Sequence, residues 1–255
     1  MIEGSFISFI IPVYNEESNI SNMLNSLYEI LSANPRWRSE VIIIEDGSTD
    51  NTRKVILEAI KKRPKTALIL HNQNQGYTRS LKDAIGQARG EFLMYIGADE
   101  EFDCSELPAF VNPLLERTTD VILGVRWQRN SYRLFRFFLS VIYIFLLNSM
   151  FKLRVNDYNW SQAWSRKLLD QIKLRSKSLF LLPEIIIKAH DLNYRIKEVP
   201  SNHRGRRWGK SSVNFWIMSH ALLEALLFWA YRRSKKYTAG TDKPAYTHLR
   251  QTPCT

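Results

Sequence analysis

The segment EVIIIEDGSTDNTRKVILEAI, residues 40–60, decides the fold class. It contains a run of β-branched residues from Val41 to Ile44, then a turn signal at Asp46-Gly47, then an apolar pattern with helical spacing. A short, continuous apolar run is typical of a strand that is buried on both faces of a parallel sheet. The segment therefore predicts a strand, a tight turn and a helix, which together form the repeating unit of α/β folds.

The same unit recurs through the first half of the chain. Other short apolar runs lie at residues 6–11, 67–70, 92–96 and 121–123. Helical patterns lie between them, at residues 17–31, 50–62, 78–88 and 105–116. This alternation predicts an α/β fold with a doubly wound, mostly parallel sheet that is flanked by helices. In such sheets, ligands bind beyond the carboxyl ends of the strands.

The composition and length bound the class of protein. The chain has 255 residues, of which 45% are apolar and 24% are charged, so it can bury a sizeable core and is neither disordered nor collagen-like. Its two cysteines, Cys104 and Cys254, cannot build a disulfide framework or a zinc cluster. Because no basic segment precedes an apolar one at the start, we expect no signal peptide and a cytoplasmic location.

The charge is divided unevenly between the two halves of the chain. Residues 1–125 contain 12 basic and 18 acidic side chains, whereas residues 126–255 contain 24 basic and 7 acidic side chains. A basic half indicates an anionic partner, which is a nucleic acid, a phosphorylated substrate or an anionic membrane surface. The alternative is a solvated basic face that serves solubility.

Polar side chains gather where the predicted strands end. The segments are Pro12-Val13-Tyr14-Asn15-Glu16, Glu45-Asp46-Gly47-Ser48-Thr49-Asp50, Asn74-Gln75-Gly76, Gly97-Ala98-Asp99-Glu100-Glu101 and Gly124-Val125-Arg126. Turns and helix caps explain some of these residues, such as Asp50 at the start of a helix. Carboxylates at three strand ends are nevertheless expected to converge on one crevice, because these ends share an edge of the sheet.

Taken together, these strand ends resemble the family 2 glycosyltransferases of GT-A fold, in particular the dolichyl- and polyprenyl-phosphate mannosyl- and glucosyltransferases. The resemblance covers residues 6–216, and its most specific part is the pair IPVYNEE at 11–17 and EDGSTDNT at 45–52. Further matches are Arg126, Arg136 with Ser140, Asp157, Glu198-Val199-Pro200 and Arg206-Arg207-Trp208-Gly209-Lys210-Ser211.

The resemblance implies one GT-A domain over residues 1–236. Residues 1–125 would form its nucleotide-sugar half and residues 126–236 its acceptor and membrane half. The remaining residues, 237–255, are rich in Thr, Pro and Gly without periodicity, so we expect a disordered tail.

The resemblance also implies roles for individual residues. Those for nucleotide-sugar binding are Pro12, Tyr14, Glu16, Ile44, Asp46, Gly97, Ala98, Asp99, Arg126, Arg206 and Lys210. Those for catalysis are Asp99, Arg126 and Asp157. Arg136 and Ser140 would hold the acceptor phosphate, and Asp99 with Glu101 would hold Mg²⁺ or Mn²⁺.

Two positions depart from the family pattern. The family carries Asp-X-Asp after the fourth strand, but Gly97 occupies the first of these positions here. Mg²⁺ is often held by one or two carboxylates together with substrate phosphates, so Asp99 and Glu101 would suffice. Ser212 stands where relatives carry a lysine, and Lys210 is a possible substitute. The glycine also leaves open an impaired paralogue that binds anionic lipid.

Two apolar segments predict contact with a membrane surface. Residues 134–151 contain 14 apolar residues among 18, with Arg136 and Ser140 on one helical face. Residues 213–231 are interrupted by Glu224 and are followed by five residues, 232–236, of which four are basic. Both patterns are typical of amphipathic helices that lie in the membrane interface, the alternative for the first being a buried core helix. We therefore expect peripheral association with the cytoplasmic face of a membrane.

The predicted function is an inverting transfer of a sugar from a nucleotide sugar to a polyprenyl phosphate. A phosphate acceptor is largely anionic at neutral pH and needs little help from a general base. The first alternative is transfer to a sugar hydroxyl, which needs a base such as Glu100, Asp103 or Asp157. The second is a binding protein without activity, although the acidic crevice argues against a nucleic-acid partner. A membrane-protein partner remains open.

Overall fold

The computed structural model describes residues 5–61, 63, 65–128, 134–205 and 215–240. The strands are β1 (Phe6–Val13), β2 (Arg38–Glu45), β3 (Thr66–Leu70), β4 (Phe92–Tyr95), β5 (Val121–Gln128), β6 (Gln162–Ser165) and β7 (Ile196–Asn202). The helices are α1 (Ile20–Ala33), α2 (Thr52–Ile60), α3 (Tyr77–Gln87), α4 (Leu107–Leu115), α5 (Leu134–Phe151), α6 (Arg166–Gln171), α7 (Leu181–Asp191) and α8 (Phe215–Arg232).

The seven strands form one sheet in the order β3-β2-β1-β4-β6-β5-β7. β6 runs antiparallel to both of its neighbours, and the other neighbouring pairs are parallel. Ile10 on β1 lies opposite Ile42 on β2, in the centre of the sheet. The prediction of a mostly parallel α/β sheet is therefore confirmed, with one antiparallel strand inserted.

Helices cover both faces of the sheet. One hydrophobic core contains buried side chains of α3, α5, α6, α7 and α8, and the other contains those of α1 and α4 together with Ile56 of α2. Because β1, β2, β4 and β5 point the same way, their carboxyl ends meet at one edge of the sheet. The polar segments found in the sequence lie at this edge.

The helices α5 and α8 pack against each other and leave apolar side chains on their outer faces. Phe151 of α5 and Phe228 of α8 have ring centroids 6.0 Å apart. The exposed apolar side chains are Phe137, Phe138, Val141, Ile142 and Phe145 on α5, and Trp216, Leu223, Leu226 and Leu227 on α8. We call these nine residues the apolar face. Within the described residues, no helix has both the length and the apolar character needed to cross a membrane.

The polar residue Glu224 docks α8 onto the body of the domain. Its carboxylate accepts hydrogen bonds from the Ser176 hydroxyl, from the Lys177 amide at 2.9 Å and from the Ser178 hydroxyl at 2.7 Å. The Ser178 carbonyl in turn accepts from Thr78 of α3 at 2.8 Å. Glu224, which interrupts the apolar pattern in the sequence, thus connects α8 to α3 through one loop.

The pKa of Glu224 predicts how this docking responds to pH. Burial alone would raise the pKa, but the hydrogen bonds from Ser176 and Ser178 hold it below its ordinary value. The ionised form therefore stabilises the fold above the ordinary glutamate pKa of about 4.3, and this contribution disappears as the pH falls below it. We expect Glu224→Gln to lower the free energy of unfolding by roughly 1 kcal/mol at neutral pH.

Denaturant unfolding of wild type and Glu224→Gln at several pH values measures this difference. The control is Glu58→Gln, which removes an exposed pair with Lys61 that contributes little. A difference between wild type and Glu224→Gln that persists in acid would contradict the assignment to the ionised carboxylate.

The C-terminal end of α8 is fixed by Asp191, the last residue of α7. Arg232 forms a two-point ion pair with Asp191, with Nε–Oδ2 and Nη2–Oδ1 distances of 2.8 Å and 2.5 Å. Tyr237 donates a hydrogen bond to the same carboxylate at 2.6 Å and packs against Phe228. The Arg232 guanidinium is thus occupied by its ion pair with Asp191, whereas Arg233, Lys235 and Lys236 are exposed. Tyr237 is the first residue of the tail, residues 237–255, that the sequence predicts to be disordered. Residues 241–255 lie outside the described part of the chain.

Candidate active site

The turns after β1 and β2 are interlocked by side-chain hydrogen bonds. Asn15 has a φ of 53°, a left-handed conformation that asparagine tolerates. Its side-chain oxygen accepts from the Thr49 amide at 2.8 Å, and the Glu16 amide donates to the Thr52 hydroxyl at 2.8 Å. The two motifs that carry the family resemblance therefore form one rigid rim of the crevice.

Two consecutive carboxylates at the end of β2 hold the neighbouring loops. Glu45 is fully buried and pairs with Nε of Arg53 at 2.6 Å. Asp46 accepts hydrogen bonds from the amides of Gln75 at 2.9 Å and Gly76 at 2.8 Å. Gly47, with a φ of 68°, lies so close to the backbone of residues 73 and 74 that a side chain there would clash. The loop after β3 is therefore fixed on top of the β2 turn.

The residues expected to bind the nucleotide base differ in exposure. Tyr14 is 41% exposed, and Pro12 and Glu16 are half-buried, so all three border the open crevice. Asp46 is almost completely buried, with its oxygens directed at the loop after β3. Ile44 is fully buried, and its side chain belongs to the hydrophobic core. Any contact between Ile44 and a ligand would therefore use its backbone.

Asp99 follows β4 and is half-buried at the carboxyl edge of the sheet. Its Oδ1 accepts from the Glu101 amide at 3.3 Å and lies 3.0 Å from the position that a Cβ of Gly97 would occupy. The missing side chain at Gly97 thus gives the Asp99 carboxylate room to fold over the strand end. Ala98, between them, is buried in the core below.

The acidic loop after Asp99 is joined to the segment after β7. Nε2 of His203 lies 3.3 Å from Oε2 of Glu101, and the Arg204 amide donates to the Glu101 carbonyl at 2.9 Å. The Arg204 guanidinium pairs with Asp103. Burial raises the pKa of Asp103, but hydrogen bonds from Ser105 and Arg204 lower it by more. The pKa therefore lies below its ordinary value, and this carboxylate is ionised at neutral pH. These contacts bring the start of the basic loop to the metal-site candidates.

The hydroxyl of Tyr95, the last residue of β4, feels the charges of the neighbouring strand ends. Burial raises its pKa, the hydrogen bond with Tyr77 lowers it, the charges of Asp99 and Glu101 raise it, and the charge of Arg126 lowers it. Because the net effect raises the pKa, this hydroxyl keeps its proton at neutral pH.

Arg126 and Asp157 form a buried, two-point ion pair. The Nε–Oδ2 and Nη2–Oδ1 distances are 2.6 Å and 2.8 Å, and the side chains are 9% and 1% exposed. The Arg126 guanidinium also stacks over the Trp160 ring at 5.0 Å. Asp157 further accepts from the Asn159 amide at 3.2 Å. This arrangement fixes the plane of the guanidinium at the carboxyl end of the sheet.

A cleft of about 360 Å³ opens beside this ion pair. Its polar lining comes from Arg126, Asn148 and Asn156, and its apolar wall comes from β5, α5 and Val155. The apolar lining residues are Val125, Trp127, Phe137, Val141, Ile144 and Val155. The cleft therefore places the Arg126 cation beside apolar side chains, of which Phe137 and Val141 belong to the apolar face.

Some predicted site residues cannot be placed. Arg206 and Lys210 lie outside the described residues, as does the side chain of Arg136. Ser140 lies in α5 and is half-buried. Conversely, the site contains residues that sequence reasoning missed, namely His71, Tyr95, Trp160 and His203. His71 and His203 directly follow β3 and β7, and Tyr95 ends β4, so their positions at strand ends are a signal. Trp160 lies two residues before β6 and has no such signal.

The donor set fits a divalent cation that is shared with a ligand. Among the described residues, no three His, Cys, Asp or Glu side chains are grouped closely enough to hold a metal ion by themselves. Asp99 and Glu101 offer hard carboxylate oxygens at the same strand end, which suits Mg²⁺ or Mn²⁺ when substrate phosphates complete the coordination.

Two curated proteins resemble most of this chain. It is 25% identical over 240 residues to dodecaprenyl-phosphate galacturonate synthase from Rhizobium johnstonii, covering 92% of this chain and 69% of that protein. It is 28% identical over 213 residues to undecaprenyl-phosphate 4-deoxy-4-formamido-L-arabinose transferase from Pseudomonas savastanoi pv. phaseolicola, covering 82% and 61%. The chain thus spans only about two thirds of the length of these relatives.

A solved structure and a family model complete the comparison. Glucosyl-3-phosphoglycerate synthase from Mycobacterium tuberculosis, in complex with Mn²⁺, uridine diphosphate and phosphoglyceric acid, superimposes with a TM-score of 0.72 at 17% identity, covering 97% of this chain and 92% of that one. This likeness confirms the GT-A-like fold. Residues 8–173 match the model of glycosyl transferase family 2, and since this match covers well over half of the sequence, the chain belongs to that family.

Proposed function

We propose that this chain is an inverting glycosyltransferase that moves a sugar from a nucleotide sugar to a polyprenyl phosphate at the cytoplasmic surface of a membrane. The two curated relatives support this acceptor class, because one is named for dodecaprenyl phosphate and the other for undecaprenyl phosphate, which are both polyprenyl phosphates. The solved relative that binds Mn²⁺ and uridine diphosphate supports a nucleotide-sugar donor and a divalent cation.

The observation that carries the proposal is the cleft between β5 and α5. Its cationic end, Arg126, suits a phosphate, because a guanidinium presents several N–H donors in a fixed plane. Its apolar wall, formed by Phe137, Val141 and Ile144, suits the first isoprene units of a lipid chain. A soluble sugar acceptor would leave this wall unused.

The chemistry requires positioning and charge stabilisation more than proton transfer. An oxygen of the acceptor phosphate attacks the anomeric carbon and forms a C–O bond, while the bond from that carbon to the diphosphate oxygen breaks. The second pKa of a phosphate monoester is about 6, so the acceptor is a ready nucleophile at neutral pH. Arg126 would orient a phosphate, and Asp99 with Glu101 would hold Mg²⁺ or Mn²⁺, which would supply positive charge to the departing diphosphate.

The ion pairs of the site weigh against a hydroxyl acceptor. Such an acceptor must lose a proton, and two of the candidate bases, Asp103 and Asp157, are paired with Arg204 and Arg126. Glu100 has a buried Oε1 without a hydrogen-bond partner among the described residues. Glu100→Gln should therefore lower activity only if the acceptor is a hydroxyl.

The test is transfer of labelled sugar into organic-extractable lipid. Undecaprenyl phosphate is incubated with the protein and a panel of uridine- and guanosine-diphosphate sugars, with Mn²⁺ or with chelator. We expect a metal-dependent lipid product from one donor and none when undecaprenol replaces its phosphate. Transfer to a free sugar in the absence of lipid phosphate would overturn the proposal in favour of a hydroxyl acceptor.

The apolar face predicts membrane binding by this chain. Phe138 and Phe145 of α5 are 60% and 68% exposed, and burial of such side chains in lipid contributes roughly 1.5–3 kcal/mol each. The exposed Arg233, Lys235 and Lys236 add attraction to anionic lipid. Changing both phenylalanines to glutamate should therefore abolish sedimentation with phosphatidylglycerol vesicles.

The matched control is Leu57→Glu, which alters an apolar side chain of similar exposure, 44%, on α2. This variant should bind vesicles as wild type does. Unchanged binding of the double phenylalanine variant would refute the role of the apolar face. Transfer to a short, water-soluble polyprenyl phosphate should survive in that variant, because its catalytic residues are intact.

A further inference from the structure

The histidine that follows β3 is enclosed by two carboxylates. His71 is 7% exposed, and its Nδ1 lies 2.7 Å from Oδ1 of Asp46. Its Nε2 lies 3.3 Å from Oδ2 of Asp83 on α3, so the ring bridges the two carboxylates. The contact with Asp46 is a hydrogen bond between two buried side chains, whereas the contact with Asp83 is longer and reaches a partly exposed carboxylate. The ring is therefore held mainly on the Asp46 side.

Further contacts hold the backbone of His71 at the end of β2. Its amide donates to the Glu45 carbonyl at 2.9 Å. Arg53, which pairs with the Glu45 carboxylate, donates to the His71 carbonyl at 2.8 Å. On the other side of the ring, Arg79 donates to Asp83 at 2.7 Å. The backbone and the side chain of His71 are therefore both joined to the end of β2.

The bridge connects elements that frame the nucleotide end of the site. Oδ1 of Asp46 contacts both His71 and the Gln75 amide, and Oδ2 accepts from the Gly76 amide, directly before α3. Asp83 lies nearly two turns further along α3. One ring therefore fixes the rotamer of Asp46 and ties the end of β2 to α3.

We propose that His71, which bridges Asp46 and Asp83, is a positioning residue that holds Asp46 and the loop of residues 71–76 for binding of the donor nucleoside diphosphate. The inference rests on the proposed nucleotide-sugar function. Without the ring, the Asp46 carboxylate can turn away from the amides of Gln75 and Gly76, which loosens this loop. His71 thereby acts on nucleotide affinity through Asp46, without touching the reacting atoms.

The variants separate the two sides of the bridge. His71→Ala removes both contacts, and His71→Asn keeps a donor on the Asp46 side. Asp83→Asn replaces the distal carboxylate by an amide of the same size and leaves the Asp46 contact in place. The matched control is His190→Ala, since His190 is an exposed histidine beside Asp191, at the end of α7.

The measurement is calorimetric titration with uridine diphosphate and with guanosine diphosphate, each with Mn²⁺. Wild type should bind one of them. We expect His71→Ala to weaken binding about tenfold, and we expect His71→Asn and Asp83→Asn to bind within about threefold of wild type. Steady-state transfer should show the change in KM for the donor and little change in kcat.

The outcomes are distinguishable. If wild type binds neither nucleotide, the proposed function fails and the inference fails with it. If wild type binds but folded His71→Ala binds equally well, the inference is overturned while the proposed function stands. The same holds if His71→Asn binds as weakly as His71→Ala. Equal losses in His71→Ala and His190→Ala would show a general histidine effect and would also overturn it.

Discussion

Replacement of Asp99 by asparagine should lower kcat for lipid-linked sugar transfer by roughly 10³-fold, the loss typical of removing one charge-stabilising group from an active site. Asparagine keeps the size of the side chain and the contact with the Glu101 amide, but it removes the negative charge that a divalent cation requires. The fold should be unaffected, because Asp99 is half-buried at the sheet edge. Initial rates of lipid glycosylation at saturating donor measure the effect.

Manganese binding provides an independent readout for the same variant. Titration of Mn²⁺ in the presence of uridine or guanosine diphosphate should show a weakened site in Asp99→Asn and a smaller effect in Glu101→Gln. The control is Glu116→Gln, an exposed carboxylate at the end of α4, at the opposite edge of the sheet. Wild-type transfer by Asp99→Asn would remove this residue from the mechanism. Equal loss in Glu116→Gln would indicate a general effect of charge.

The sequence predicted the fold because its main signals are local. The apolar runs that identify β1, β2 and β4 each correspond to one strand, and the structure confirms their ends to within three residues. Helix starts were less accurate. α2 begins at Thr52 and not at Asp50, because the Asp50 carboxylate accepts from the Thr52 amide and forms a turn ahead of the helix. The antiparallel direction of β6 has no local signal, because its four residues are buried on both faces whichever way they run.

The site was predicted less completely, because its contacts join distant segments. Arg126 and Asp157 were each identified by resemblance, but their ion pair depends on how β5 lies relative to the loop before β6. Glu101 meets His203 across about a hundred residues, and only the sheet order brings them together. The burial of Asp46 follows from the loop after β3, whose backbone amides have no sequence signature.

The ion pair between Arg126 and Asp157 yields the second large effect. Arg126→Met removes the cation proposed to hold phosphate and leaves Asp157 as an uncompensated buried charge, a change that costs about 3–5 kcal/mol. We expect transfer to fall roughly 10³-fold, with a measurable loss of stability. Asp157→Asn leaves the guanidinium in place but less firmly oriented, so its transfer should fall by only about 10–100-fold.

The double variant decides between a positioning and a catalytic role for Asp157. If Asp157 acts only through Arg126, adding Asp157→Asn to Arg126→Met should cause little further loss of transfer and should recover part of the stability, because the unpaired charge disappears. If Asp157 is instead a general base for a hydroxyl acceptor, Asp157→Asn alone should lower transfer to the uncatalysed background rate. It should also remove the increase of kcat with pH that ionisation of a general base produces. Measuring transfer rates and denaturant unfolding on all three variants separates these cases, since a loss of stability without a matching rate pattern would assign both residues to the fold alone.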